Sequence, residues 1–475
     1  IKMKGFFNFA AISSGAALRS AMDAALSEAR SSLAQAQSLS ELDRSLTRFF
    51  NSAMPLQFLR LTSPVAEVRE AATAAQEAVE RLELEVAGDL RLYGFVRQKG
   101  GDGDEGVEVA RARHLYSLDF ELRGGAALEE AARKELRELK SRTIELQGRF
   151  SKNIADDATR VLFSRDELEG LGEDFFSGLA REGDKFVVTL QYPHVGPVLQ
   201  RAVKSETRKK LWVANALKGS PANLELLPEI VEKRRRMAQL LGHGESDADL
   251  ALARGQRMAG DTVDEVMQFL NRTFDMLKEK AAAELKELHD MNGGDTTVYP
   301  WDLAFLGNLR QKRLYNLDSE LIKQYFPLDH VLKGVFSCYS KLLGLRFDRD
   351  ADAESVAWHP DVQAYRVHDA ASGDFIARFY LDLHPRQGKY THAACWWMGK
   401  KGQLAGSSPT VCMVTNFSEK TATLPALLRF SEVETLFHEF GHVCHACLSH
   451  NSYQRLNWTW KAVEMDFFGG AVHVL

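Results

Sequence analysis

Cysteine is scarce in this chain. Its five cysteines, Cys338, Cys395, Cys412, Cys444 and Cys447, are too few and too scattered among 475 residues to form a disulfide framework, and a reducing compartment is expected. Long apolar runs are also lacking: no stretch approaches the roughly 18 apolar residues that a membrane-spanning helix needs. Neither sign of charge dominates. A net charge of −5 gives no global attraction to nucleic acid or to an anionic membrane, so neither is an expected partner. Internal repeats and low-complexity segments are missing too, which excludes a solenoid.

What is present is ordinary globular material, long enough for a large core and two or three domains. The first half is dominated by Ala, Leu, Glu, Arg and Lys at helical spacing, with helices expected over Ala16–Gln37, Val65–Tyr93, Ala126–Asn153 and Ser205–Lys218. The basic run Glu232-Lys233-Arg234-Arg235-Arg236 reads as a solvated helix face, because acids are interleaved with it and aromatics are not. Breaks fall at Gly100–Gly106, Leu171–Asp184 and His289–Thr297. Short β-rich runs at Lys185–Gln191, Val362–His368, Phe375–Leu383 and Thr410–Phe417 predict a small sheet. Residues 1–22 carry Lys2, Lys4 and Arg19 but no acid, a composition shared by organellar targeting segments and by plain helical starts. The cytoplasm is the expected location, with a mitochondrion or plastid as the alternative.

His438-Glu439-Phe440-Gly441-His442 is the pattern with the most chemical content. Residues four apart lie on one helix face, roughly 5–6 Å apart at Cβ, so His438 and His442 can aim two imidazoles at one ion. Glu439 then lies beside that ion, where a carboxylate can take a proton from a metal-bound water and hand it to a leaving amine. One Zn2+ is the expected cofactor. The helix is signalled by Val433, Leu436, Phe437, Phe440, Val443 and Leu448 at helical spacing, with Ser431 to Glu434 read as its capping box. Cys444 and Cys447, though spaced as CxxC, read as core residues on the continuation of that helix. His445 lies three residues past His442, where it could support a metal ligand.

Val433 to His445, reading VETLFHEFGHVCH, resembles the active-site helix of the thimet oligopeptidase family of zinc peptidases, called M3. Further blocks resemble the family's in the same order: Tyr299-Pro300-Trp301-Asp302, Leu317-Asp318-Ser319-Glu320 with Tyr325-Phe326-Pro327, Phe379 to Arg386 with Gly388-Lys389-Tyr390, and Asn416-Phe417. Phe150 to Ile154, and Ser63-Pro64-Val65 through Arg69 to Ala72, resemble its N-terminal helical half. The resemblance runs from about residue 60 to 467. It implies a mostly α, two-lobed helical fold with a small β-sheet beside the active-site helix. It also implies a monomeric zinc metalloendopeptidase acting on short peptides, with Glu439 catalytic and His438 and His442 as metal ligands. Residues 1–160 would form an N-terminal helical region and 161–475 a partial catalytic domain lacking the family's C-terminal part.

The resemblance fails at one chemically important place. Hydrolytic zinc takes three protein ligands, and the family's third is a Glu in a stretch reading like Asp-Phe-Val-Glu-x-Pro-Ser-Gln. Here Asp466-Phe467-Phe468-Gly469 puts a glycine at that position. Glu464, Asp466 and His473 are alternative donors, none at the family's place. A catalytically inactive relative that binds peptide or metal is therefore the rival reading. Loss of the last helices is further expected to bare the apolar face of Val433–Leu448 and make the chain poorly soluble.

Overall fold

The computed structural model describes residues 2–3, 6–98, 106–244, 262–294, 297–316, 319–399, 406–420, 424–457 and 469. The fold is mostly α-helical, with small sheets, and the larger sheet lies beside the motif helix, as the sequence predicts. The N-terminal helices are α1 (Gly15–Gln35), α2 (Leu39–Phe58), α3 (Ala66–Ala87), α4 (Leu90–Arg97), α5 (Val107–Leu118) and α6 (Glu130–Ala155). The single helix expected over Val65–Tyr93 is two: α3 ends at Gly88, and the Asp89 side chain accepts from the Arg91 and Leu92 amides to cap α4. A three-stranded sheet follows, of β1 (Arg160–Phe163), β2 (Arg181–Glu182) and β3 (Lys185–Thr189) in the order β1-β3-β2. It packs with α7 (Tyr192–Arg201) and α8 (Ser205–Ala216) around Phe163, Phe186 and Val198, while Leu146 of α6 packs against Leu226 and Ile230 of α9 (Ala222–Leu240).

Beyond α10 (Val263–Met291) and α11 (Leu303–Tyr315) comes α12 (Leu328–Leu343), which leads into a five-stranded sheet. Its strands are β4 (Leu345–Arg349), β5 (Gln363–Asp369), β6 (Phe375–Asp382), β7 (Ala394–Gly399) and β8 (Thr410–Val414), in the order β4-β5-β6-β8-β7. Only the β6–β8 pair is parallel. Side chains alternate across a strand, and here the alternation sorts residues into two cores. Ala377, Phe379, Leu381, Val411 and Met413 face α12 and the motif helix, α13 (Phe430–Leu448). Tyr380, Cys412 and Val414 instead join the core built by α1 to α3. A sheet buried on both faces between helices gives α13 a rigid floor.

α13 itself begins at Phe430, before the expected box. Glu432, rather than Glu434, closes its first turn by accepting the Arg429 amide at 2.7 Å, and Ser431 is already helical. The apolar face of this helix is not bare: Leu436, Phe440, Val443, Cys444 and Cys447 are buried on the sheet, so the expected exposure of that face is corrected. Exposed apolar side chains gather elsewhere, on α10, where Phe269, Phe274, Met276 and Leu277 are open to solvent among the described residues. The cysteines of the CxxC are core residues, as expected. The run Glu232 to Arg236 lies on α9 with Arg235 paired to Glu232 and Arg236 to Glu135, a solvated face as read. Among the described residues, no helix is long and apolar enough to cross a membrane.

Several family-like sequence blocks turn out to be buried charge hubs. Asp382, at the end of β6, pairs with Arg386 at 2.6 Å and Lys389 at 2.7 Å, and accepts the Trp358 indole N–H at 2.7 Å. Lys389 Nζ also donates to the carbonyls of Asp382, His384 and Thr415, and Arg386 donates to Thr62 O at 2.7 Å. Burial raises the Asp382 carboxyl, but the Arg386 hydrogen bond and the Lys389 charge outweigh it and leave the group below the ordinary carboxylate range. Asp302 plays the same part for α11: it is buried with Arg208 and accepts from Ser205 Oγ at 2.7 Å. Removing one member of such a group strands the others without a counter-charge. Asp382→Asn is expected to lower the unfolding free energy by about 3–5 kcal/mol, read as a shift in urea midpoint; a loss below about 1 kcal/mol would show that the hub does not hold this turn.

Candidate metal centre

The helical repeat and the sheet together orient the motif. With Phe440 and Leu436 fully buried toward the sheet, His438 and His442 sit together on another face, both half-buried. Their ring centroids are 5.0 Å apart and their planes cross at 83°. Two imidazoles so placed could share one ion. Glu439, between them in sequence, is 8% exposed, and its Oε2 finds no hydrogen-bond partner among the described residues. Burial pushes its carboxyl up to about 7. A lone buried carboxylate oxygen is costly, and it fits a group that a cation or a proton completes.

The surroundings fix this carboxylate's backbone. Cys395 Sγ, on the edge strand β7, donates to the Glu439 carbonyl at 3.1 Å. Tyr390 stands near enough for the Glu439 charge to raise its phenol, after the larger effect of burial and against that of Arg60. Neither residue was assigned a role from sequence, though Tyr390 belongs to the Gly388-Lys389-Tyr390 block that resembles the family. His445 is half-buried on α13, and burial lowers its basicity.

The donor set accommodates zinc only in part. His438 and His442 share one helix face with their rings 5.0 Å apart, but no group of three metal-binding side chains occurs among the described residues. Glu464, Asp466 and His473 lie outside the described residues, whereas Gly469 is described, in a turn, and offers no side chain.

The model of Peptidase family M3 matches residues 198–468, more than half of the chain. The chain belongs to peptidase family M3. The match ends at Phe468, one residue before Gly469. Among curated relatives, a thimet-like oligopeptidase of Dictyostelium discoideum is 30% identical, the alignment covering 90% of this chain and 66% of that protein. Saccharolysin of Saccharomyces cerevisiae is 30% identical, over 91% of this chain and 64% of that protein. Oligopeptidase A of Escherichia coli is 28% identical, over 87% and 63%. The chain thus spans 63–66% of the length of these relatives.

The raised Glu439 carboxyl has a stability consequence in the metal-free chain. A carboxyl whose folded value, about 7, lies above its ordinary 4.5 binds more protons when folded. Stability is therefore greatest below pH 4.5 for this group and falls as pH rises toward 7. The loss is about 3–3.5 kcal/mol in all. Glu439→Gln should abolish that slope and raise the melting temperature of metal-free protein at pH 8, as scanning calorimetry would record. Equal melting of the two proteins at pH 8 would contradict the assignment.

Proposed function

We propose that this M3 chain is a zinc metalloendopeptidase hydrolysing short peptides, with His438 and His442 holding one Zn2+ and Glu439 serving as base. The observation that carries the reading is a buried Glu439 carboxylate oxygen without a hydrogen-bond partner among the described residues, on the helix whose His438 and His442 rings lie 5.0 Å apart. Zinc bound there would supply a Lewis acid that polarises a carbonyl and acidifies water. The chain's own contribution is the proton: Glu439, held near neutrality by burial, can accept one at Oε2 and release it to a departing amine at working pH. The sheet and the Cys395 contact fix the backbone that carries this carboxylate. The reading includes residues 161–475 as the catalytic portion after an N-terminal helical region, a monomer, and the cytoplasm, with an organelle as the alternative.

A second reading has its own support. Gly469 stands at the family's Glu position, and no third donor joins the histidines among the described residues. A non-cleaving relative that binds peptide or metal would keep the frame without the chemistry. Elemental analysis of the purified chain, paired with cleavage of a quenched fluorescent peptide, separates the two. The enzyme reading predicts one zinc per chain, and cleavage that Glu439→Gln reduces by about 10²–10⁴-fold with zinc retained. Neither zinc nor cleavage would leave the second reading.

A further inference from the structure

A 3₁₀ turn, Leu59–Leu61, continues α2 and lies against the loop that precedes β7. The two segments are fastened at several points. Tyr390 N donates to Leu61 O at 2.7 Å, and Arg386 donates to Thr62 O. Gly388 takes the left-handed turn of the loop at a φ of 77°, and a Cβ there would collide with the Arg69 guanidinium. Arg69 itself donates to Ser63 O at 2.9 Å and to Pro64 O at 3.0 Å. From the sheet side, Asn416 Nδ2 donates to Tyr390 O at 2.9 Å, and the Trp396 ring stands edge-on to that of Tyr390 at 5.0 Å. Tyr390 is thus held by backbone and ring, five residues before Cys395, whose thiol donates to the Glu439 carbonyl.

The polar groups that this turn presents are unmet. Arg60 is half-buried, and its Nε is shielded from water without a hydrogen-bond partner among the described residues. Burial lowers its basicity, and the charges of Glu80 on α3 and of Tyr390 offset that only in part. The Tyr390 hydroxyl is likewise without a hydrogen bond among the described residues. Burial raises this phenol, the Arg60 charge opposes the rise and the Glu439 charge adds to it, so the ring lies within electrostatic reach of both. A cationic donor and a neutral donor therefore stand together with no acceptor between them, beside the candidate metal centre. Unmet donors in a half-buried place are costly, and the planar guanidinium fork matches a carboxylate.

We propose that Arg60 and Tyr390 form a carboxylate subsite, which holds an acidic group of the bound peptide while Glu439 acts on the scissile bond. This rests on the peptide reading above. Five residues separate Tyr390 from Cys395, a reach of at most about 18 Å. An extended peptide lying at Glu439 therefore comes to the pair within roughly five residues. The carboxylate can come from an Asp or Glu side chain or from the peptide's own terminus, since both offer the same two oxygens.

The test measures binding by fluorescence anisotropy to Glu439→Gln protein, in which cleavage is suppressed. One labelled sequence is used in three versions: a Glu-containing amide, its Gln counterpart as the amide, and the Gln peptide with a free C-terminal acid. The expected result is that one acid-bearing version binds about 10–100-fold more tightly than the neutral one, and which one identifies the source. Adding Arg60→Gln should bring that advantage to within about twofold, whereas Arg60→Lys keeps more of it and Tyr390→Phe removes a smaller part. The comparison among peptides needs no change at Arg60, so it stands even where Arg60→Gln folds poorly. Equal binding of all three peptides, an acid preference that survives Arg60→Gln, or an equal loss for all three in that variant would overturn the proposal. Binding of none of them would overturn it together with the peptide reading. An acid preference in a chain whose unmutated form does not cleave would keep the subsite and overturn only the enzyme.

Discussion

Phe440 is the contact on which the site depends. It has no exposed surface, and four rings enclose it: Phe336 at 5.4 Å, Tyr339 at 5.0 Å, Phe347 at 5.5 Å and Phe379 at 5.5 Å, each tilted or edge-on to it. Such geometry favours the ring quadrupoles and adds to the burial itself. Rotation of the helix about its axis would expel Phe440 from this seat, so the seat fixes the direction in which its neighbours on either side point. Tyr339 reinforces it by donating to the Phe437 carbonyl at 3.0 Å. The residue inside the motif that carries no metal chemistry thus decides where the chemical residues go.

Around that seat, several buried charges are paired. Asp382 with Arg386 and Lys389, Asp302 with Arg208, and Asp350 with Arg366 and Arg378 each fasten a loop or helix end to a neighbouring element. Buried pairs are weak contributors to net stability but costly to break singly, which suits them to fixing one arrangement of chain. Glu439 is the exception, a buried carboxylate with one oxygen lacking a partner among the described residues. A carboxylate oxygen in that state, beside hubs whose carboxylates are each paired with a cation, is what singles it out chemically.

The motif helix and β5, β6 and β8 were legible because their periods are plain: apolar residues of α13 recur at helical spacing, and those strands alternate between two cores. β4, reading LRFDR, and β7, reading ACWWMG, escaped notice because the first alternates over only four residues before the charged run Arg349-Asp350 and the second does not alternate between apolar and polar. The start of α13 was misplaced because Ser431 offers a capping residue by type, whereas the turn closes between Glu432 and the Arg429 amide. The hubs were visible as sequence blocks but not as hubs, since Asp382 and Thr62, or Asp43 and Gln454, meet only through tertiary structure.

The central claim is that a helix seated by Phe440 presents His438 and His442 to a single zinc ion. X-ray absorption at the zinc edge of the metal-loaded chain tests it directly. The account predicts two imidazole nitrogens near about 2.0 Å, with oxygen completing the shell. Sulfur scattering at about 2.3 Å, or a shell without imidazole, would contradict it.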